Sequence, residues 1–374
     1  MRIGLTSIVF NKQGGISRYV VELASRLAPD HEVHILTSRY EDKVPGVIAH
    51  EEPIVWNPIS LQVASNAWRN VGKIKRLREG GVDVVNSQGA EAVNSDIVTM
   101  QSCQKAAVRK FGEDRGPAYA LLKALEPRNN VVLSIEKKIL NRSKRVIAIS
   151  ESIKDEVVEN YGIPGEKVRV IYSGVNLEEF NPKKKEEARR EVRSKHGLGE
   201  DDIVLSFSGW EFKRKGLKYI IEALPGLDRN IKLVVVGAAE SKPYKSLAER
   251  KSVGDRIVFA GHSNNISEYY AASDIFVFPT AYEPFGLVIT EAMATGIPVV
   301  TTRSAGAAEL ITDGVDGMLL DSPYSSEEIV EKIRHILDND LLSDMGVRAR
   351  KTAERYSWES VTDQTLEVYG ELVD

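Results

Sequence analysis

Glu283-Pro284-Phe285-Gly286-Leu287-Val288-Ile289-Thr290-Glu291 follows closely on the apolar run Ile275-Phe276-Val277-Phe278-Pro279. The stretch reads as a short buried strand, a turn holding Pro and Gly, and a helix. It sets one carboxylate, Glu283, at the mouth of the strand and a second, Glu291, on the helix. The turn between them leaves the first helical N–H groups without partners, and the macrodipole favours an anion there. Two acids beside an anion site suit a ligand that carries hydroxyls as well as phosphate, as a nucleotide-sugar does. The plainer reading is a charged loop followed by an ordinary amphipathic helix.

The same strand-then-helix alternation runs through the chain. Strands are expected at Ile3–Phe10, Glu32–Thr37, Val82–Asn86, Ile97–Gln101, Lys144–Ser150 and Val168–Tyr172, with helices that include Ser17–Leu27, Val71–Glu79 and Glu151–Tyr161. A second round follows, with strands at Ile203–Ser208, Lys232–Gly237, Arg256–Ala260, Ile275–Pro279, Pro298–Thr302 and Gly317–Leu320. Helices Ser343–Arg355 and Ser357–Leu372 close the chain. Short buried strands alternating with helices imply parallel βαβ units. The expected fold is therefore α/β, with two Rossmann-like doubly wound parallel sheets. Their bounds are 1–176, joined by the closing helix 357–374, and 177–356. Ligands of open α/β sheets bind beyond the carboxyl ends of the strands, so two such domains are expected to face one cleft.

A length of 374 residues also favours two cores over one. The single Cys103 excludes an internal disulfide and suits a reducing compartment, and no apolar run approaches the ~20 residues of a membrane helix. A cytoplasmic protein is expected. The six His are scattered, and His31 and His34 read as lying on one strand without partners. The net charge of -4 hides a basic stretch at residues 105–145, with 11 basic and 4 acidic side chains. That stretch reads as a solvated helical face or as a contact for an anionic acceptor or membrane. Nucleic acid is not expected, because aromatic residues are sparse among the basic ones.

The dinucleotide fingerprint is missing: Gly14-Gly15 is not G-x-G-x-x-G, and the second strand ends in Thr37-Ser38 rather than an acid. A P-loop is missing too. The second half offers instead Gly209-Trp210-Glu211-Phe212-Lys213-Arg214-Lys215-Gly216 after a strand. Its glycines permit a tight loop, and Arg214 and Lys215 present adjacent cations suited to a diphosphate.

Taken together, Gly14-Gly15, the Gly209–Gly216 loop and the E-x7-E string resemble the retaining glycosyltransferases of family 4, which have the GT-B fold. The similarity extends through Glu291-Ala292-Met293-Ala294, Gly296-Ile297-Pro298-Val299-Val300 and Ser357-Trp358-Glu359. It implies that Glu283 binds hydroxyls of the donor sugar and Glu291 the ribose, with the amides of Phe285, Gly286 and Leu287 facing sugar and diphosphate. Arg214 and Lys215 would neutralise the leaving diphosphate, Gly14 and Gly15 would approach the phosphates, and Gly237 would leave room for the nucleotide. Ser263 to Ile266 would flank the base, uridine being the base expected. The closing helix would cross back to the first domain, and no cofactor or catalytic metal is implied.

Where many members carry His, this chain has Gln101 or Ser102, and Asn86 and Gln88 follow the preceding strand. Asn86, Gln101 and Ser102 are the acceptor-side candidates; their amides and hydroxyl bind sugar hydroxyls but are no general bases near neutrality. The resemblance thus implies transfer of a hexose to a sugar, lipid-linked or small-molecule hydroxyl. A nucleotide-sugar 2-epimerase and a non-catalytic binding subunit are the alternatives. Ala118–Leu125 with the basic helix after it is the candidate for peripheral membrane contact. Cys103 reads as a small buried residue.

Overall fold

The computed structural model describes residues 1–53, 59–116 and 126–373. The chain divides into two units, Met1–Gly174 with Trp358–Asp374, and Val175–Ser357. The first holds β1 (Arg2–Phe10), β2 (Glu32–Tyr40), β3 (Val47–Glu51), β4 (Val84–Gln88), β5 (Ile97–Met100), β6 (Arg145–Ala148) and β7 (Val168–Val170). These form one parallel sheet in the order β3-β2-β1-β4-β5-β6-β7. The second holds β8 (Ile203–Ser208), β9 (Ile231–Val236), β10 (Ile257–Gly261), β11 (Ile275–Phe278), β12 (Val299–Thr302) and β13 (Met318–Leu320). Its order is β10-β9-β8-β11-β12-β13, again parallel. Strands β4, β5, β11 and β12 are buried along their whole length, as strands covered by helices on both faces must be.

Each order reverses direction once, between β1 and β4 in the first unit and between β8 and β11 in the second. At such a switch point the loops leaving two neighbouring strands diverge to opposite faces and open a crevice. The sequence expectation missed β3. None of its residues Val47-Ile48-Ala49-His50-Glu51 is buried, so no buried apolar run marks it; parallel pairing with β2 makes it a strand. There His50 Nε2 lies 2.9 Å from His34 Nδ1, and His34 Nε2 lies 2.9 Å from Glu32 Oε1, so His34 has partners after all.

The basic stretch is partly neutralised within its own unit. Lys110 pairs with Glu156 at 2.8 Å, Arg145 with Glu371 at 2.8 Å and Lys144 with Asp96 at 3.8 Å. The described part therefore presents less free charge than its composition suggests. Ala118–Leu125 lies outside the described residues. Among those described, no helix is long and apolar enough to cross a membrane.

The closing helix, Trp358–Gly370, belongs to the first unit. Trp358 is fully buried, edge-on to Tyr19 with ring centroids 5.3 Å apart, and the helix is further tied by Arg26, which bridges Glu22 and Glu359 at 2.7 Å each. Gly174 passes so close that a Cβ there would lie 2.7 Å from the Trp358 ring. Trp358→Ala should therefore cost about 3–5 kcal/mol of stability in the first unit, measured by urea unfolding. A loss under about 1 kcal/mol would show that the helix is not anchored this way.

Glu136 on the helix Pro127–Arg142 is a buried acid: it accepts the Tyr161 hydroxyl and the Gln104 N–H, and burial pushes its carboxyl up to about 7. Folding favours the protonated form, so the sign is the reverse of an ordinary salt-bridged acid. Below the unfolded value of 4.5 the group is neutral in both states and costs nothing. Between there and about 7 the unfolded chain ionises first, and stability is lost as pH rises. Glu136→Gln should remove up to about 3 kcal/mol of the stability difference between pH 5 and pH 8 in denaturant melts.

Candidate active site

The second unit's switch point carries the densest set of charged side chains named above. Gly209 follows β8 and opens the loop to Gly216, while the loop beyond β11 runs from Pro279 to the helix Leu287–Ala294. The two loops are laced together: the Ala281 N–H donates to the Arg214 carbonyl at 3.0 Å. Gly216, at φ +81°, lies against the Pro279 carbonyl so closely that any Cβ would collide with it. Beneath them Gly237 passes over the Gly209 carbonyl oxygen with no room for a side chain. These approaches explain the glycines locally, without reference to a ligand.

Two cations converge on one oxygen. Arg214 Nη1 lies 3.1 Å and Lys215 Nζ 3.3 Å from Glu283 Oε2, and all three side chains are mostly buried. Arg214 also donates to the Tyr282 carbonyl, and its Nε and Nη2 both reach Glu211 Oε2, at 2.9 and 2.7 Å. Burial works against the Arg214 charge, but Glu283 and Glu211 outweigh it and hold the guanidinium pKa above its ordinary value. Lys215 Nζ further sits 4.8 Å from the centre of the Phe278 ring. The two cations are thus fixed in position.

Glu283 is itself clamped, because the Gly306 N–H donates to its carbonyl at 2.9 Å. Phe285 is buried, and Gly286 at φ +97° begins the helix with no side-chain cap. Glu291, one turn further along that helix, is buried; Tyr270 Oη lies 3.5 Å from its Oε2 and 2.7 Å from Ser208 Oγ. Ser263 and Ile266 follow β10, where the Ser263 hydroxyl accepts the Asn265 N–H at 3.1 Å and Ile266 opens a short helix. The half-exposed Trp210 ring stands 5.5 Å from that of His262 over the same edge. Arg214, Lys215, Glu283, Phe285, Gly286, Leu287, Glu291, Gly209, Gly237, Ser263 and Ile266 all lie in the second unit, at or just beyond the carboxyl ends of β8 to β11. Glu211, Tyr270 and Ser208 were not anticipated; the i,i+3 spacing of Glu211 and Arg214 is the one signal that announced any of them.

In the first unit, Gly14 and Gly15 follow the β1 loop and begin the helix Gly15–Leu27. A Cβ on Gly15 would meet nothing within 4 Å, so local packing does not require that glycine. Asn86 is fully buried in β4, donating to Tyr369 Oη at 2.9 Å and accepting from Thr99 Oγ1 at 3.0 Å. Its amide thereby ties the closing helix to the sheet. Gln101 and Ser102 are half-buried just past β5, and Gln101 Nε2 donates to Gln88 Oε1 at 2.8 Å. Cys103 is buried, its thiol pushed up to about 12 by that burial, and its Sγ approaches the Glu156 carbonyl at 3.7 Å. It is no nucleophile.

Glu211 takes two donors of Arg214, so it fixes the fork that faces Glu283. Glu211→Ala should leave folding unchanged while raising the Kd for inorganic pyrophosphate or lowering turnover by about tenfold, since a preorganised cation becomes a mobile one. Unchanged binding and turnover would reduce that contact to an exposed surface pair.

Comparison with known proteins identifies the family and the fold. A family model described as glycosyl transferases group 1 covers residues 188–354, and one described as Glycosyltransferase Family 4 covers residues 13–179. A D-inositol 3-phosphate glycosyltransferase of Catenulispora acidiphila is 30% identical over 96% of this chain and 91% of its own. An uncharacterized glycosyltransferase of Methanocaldococcus jannaschii is 35% identical over 239 residues, which is 61% of this chain and 60% of that protein. Among solved structures, WaaG, a glycosyltransferase involved in lipopolysaccharide biosynthesis, superposes with a TM-score of 0.82 at 23% identity, over 98% of this chain and 99% of WaaG. Anabaena HepE in complex with UDP and glucose gives 0.76 at 20% identity, over the whole of both chains. The chain belongs to the glycosyl transferases of group 1 and has their GT-B fold.

Proposed function

We propose that the protein transfers a hexose from a UDP-sugar, with retention of anomeric configuration, to a hydroxyl of a sugar, lipid-linked or small-molecule acceptor. The observation that carries this reading is the convergence of Arg214 and Lys215 on Glu283 Oε2. A diphosphate set between two fixed cations and an uncapped helix start gains charge as the glycosidic bond breaks. Interactions that strengthen with that charge lower the barrier. Glu283, held in the same cluster, is placed to accept hydroxyls of the transferred sugar, and buried Glu291 those of the ribose. Support for uridine comes from HepE, whose structure contains UDP and glucose. Support for a hydroxylated acceptor comes from the relative named for D-inositol 3-phosphate, a phosphorylated polyol.

Gln101 and Ser102 offer no base near neutral pH. In this reading the acceptor proton passes instead to an oxygen of the departing diphosphate, on the same face of the sugar, and neither cofactor nor divalent metal takes part. The approach of Gly14 and Gly15 to the phosphates belongs to the same reading, and the open space around Gly15 gives it a clean test.

Incubation with a panel of nucleotide-sugars in EDTA should release one nucleoside diphosphate slowly, by hydrolysis. Lys215→Ala should lower that rate by about 10²–10³-fold with an unchanged melting temperature. Conversion of the donor to its epimer without nucleotide release would replace transfer by epimerisation. Full activity in the Lys215 variant would end the assigned role. Gly15→Ala should fold as the parent does yet turn over more slowly; parental turnover would remove the phosphate approach from the mechanism.

A further inference from the structure

The second unit carries another concave feature, at the edge of its sheet opposite the Arg214–Glu283 cluster. A cavity of about 520 Å³ opens at the amino ends of β11 and β12, lined by the helices Lys185–His196 and Leu342–Glu354. Asp274 and Pro298, the residues immediately before the two strands, stand in its wall. Every lining residue belongs to the second unit, and the volume is that of a small-molecule site. Ile297 and Pro298 are buried there, Leu342 is half-buried, and Val347, 53% exposed, forms part of the mouth. The wall is therefore partly apolar.

Its charges do not balance. Among the described residues that line it, Lys185, Arg189, Arg350 and Lys351 are cations, against the acids Asp274 and Glu354. Both acids are already paired. Asp274 Oδ1 meets Arg189 Nη1 at 2.7 Å, while its Oδ2 meets Arg193 Nη2 at 2.8 Å and accepts the Val204 N–H at 2.7 Å. Glu354 Oε1 accepts from Arg350 Nε at 2.8 Å. Lys185 and Lys351 are left with no carboxylate at ion-pair distance among the described residues. Lys185 is half-buried, and its Nζ has one acceptor there for three donors, the Gly296 carbonyl at 2.7 Å. Burial holds its ammonium below the ordinary value, with Asp274 pulling upward and Arg189 pushing down. A cation drawn from water without a counter-ion is costly, and an anion in the cavity removes that cost.

We propose that this cavity binds a small organic dianion, its phosphate or carboxylate groups meeting Lys185 and Lys351 and its apolar body lying against Ile297, Pro298 and Val347. The two uncompensated cations set the charge of the ligand, and the apolar wall asks for a body larger than an inorganic ion. The cations are placed before the ligand arrives. Lys185 and Arg350 donate to the Gly296 and Ala294 carbonyls, at 2.7 and 2.6 Å, at the end of the helix Leu287–Ala294. Charge-assisted bonds from such fixed donors are the strong ones. A neutral hydroxylated compound leaves both cations unmatched. The site owes nothing to the transfer reading, and since Glu283 lies beyond the other end of β11, both sites can be filled at once.

The full-length protein is titrated by calorimetry with phenyl phosphate, with phthalate and with uncharged benzyl alcohol, three probes that share one ring. At least one of the two anions should bind, and benzyl alcohol should not. Binding of phenyl phosphate alone would identify a phosphate ester as the ligand class, and of phthalate alone a dicarboxylate. Lys185→Met should weaken the anion by about tenfold and Lys351→Ala, at the exposed rim, by about threefold. Val347→Trp, a change at an exposed position that folds whatever becomes of Lys185, should fill the mouth and abolish binding. Melting temperatures check the folding of each variant. Lys215→Ala, which removes a cation from the other edge of the sheet, should bind the anion as the parent does. Absence of anion binding to the parent would overturn the proposal, as would equal binding to Lys185→Met or Val347→Trp. Loss of binding in Lys215→Ala would place the anion at the Arg214–Glu283 cluster and overturn it too, and benzyl alcohol binding as tightly as the anions would remove the role of charge.

Discussion

One carboxylate oxygen, Glu283 Oε2, holds the second unit's site together. Arg214 and Lys215 come from the loop after β8 and Glu283 from the loop after β11, so the contact spans the switch point. Mostly buried charges of one sign cannot be left without counter-charge, because removing them from water costs several kcal/mol each. Much of the surrounding backbone answers that requirement. Gly216 permits the tight pass against Pro279 that brings Lys215 under the ring of Phe278. The Gly306 N–H fixes the Glu283 carbonyl from below, and Glu211 turns the Arg214 fork toward it. The two cations are therefore held in place before any ligand arrives.

Much of this was legible in the sequence because it rests on patterns that local chemistry dictates. A parallel strand buried on both faces must be a short apolar run, and β8, β9, β11 and β12 are such runs. The E-x7-E string fixes a turn and a helix by spacing alone. What escaped were properties of pairing between distant segments. β3 pairs along the edge that β2 offers, and its apolar residues Val47, Ile48 and Ala49 are not buried. Asn86 carries the right chemistry for a sugar hydroxyl, yet Tyr369, 283 residues further on, takes its amide. Tyr270 beside Glu291 looks like any core aromatic until its hydroxyl is placed.

The two units share one architecture and differ in what they set upon it. Both reverse strand order beside the first strand of their sheet, and both close that edge with short turns carrying polar side chains. In the second unit the polar groups are full charges of both signs, which suits a ligand whose charge grows during reaction. In the first they are the Gln88 and Gln101 amides, the Thr6 hydroxyl and the Glu91 carboxyl, joined by hydrogen bonds to one another and to the backbone. The strands fix where such groups stand, and the residues at the carboxyl ends fix what chemistry each edge presents.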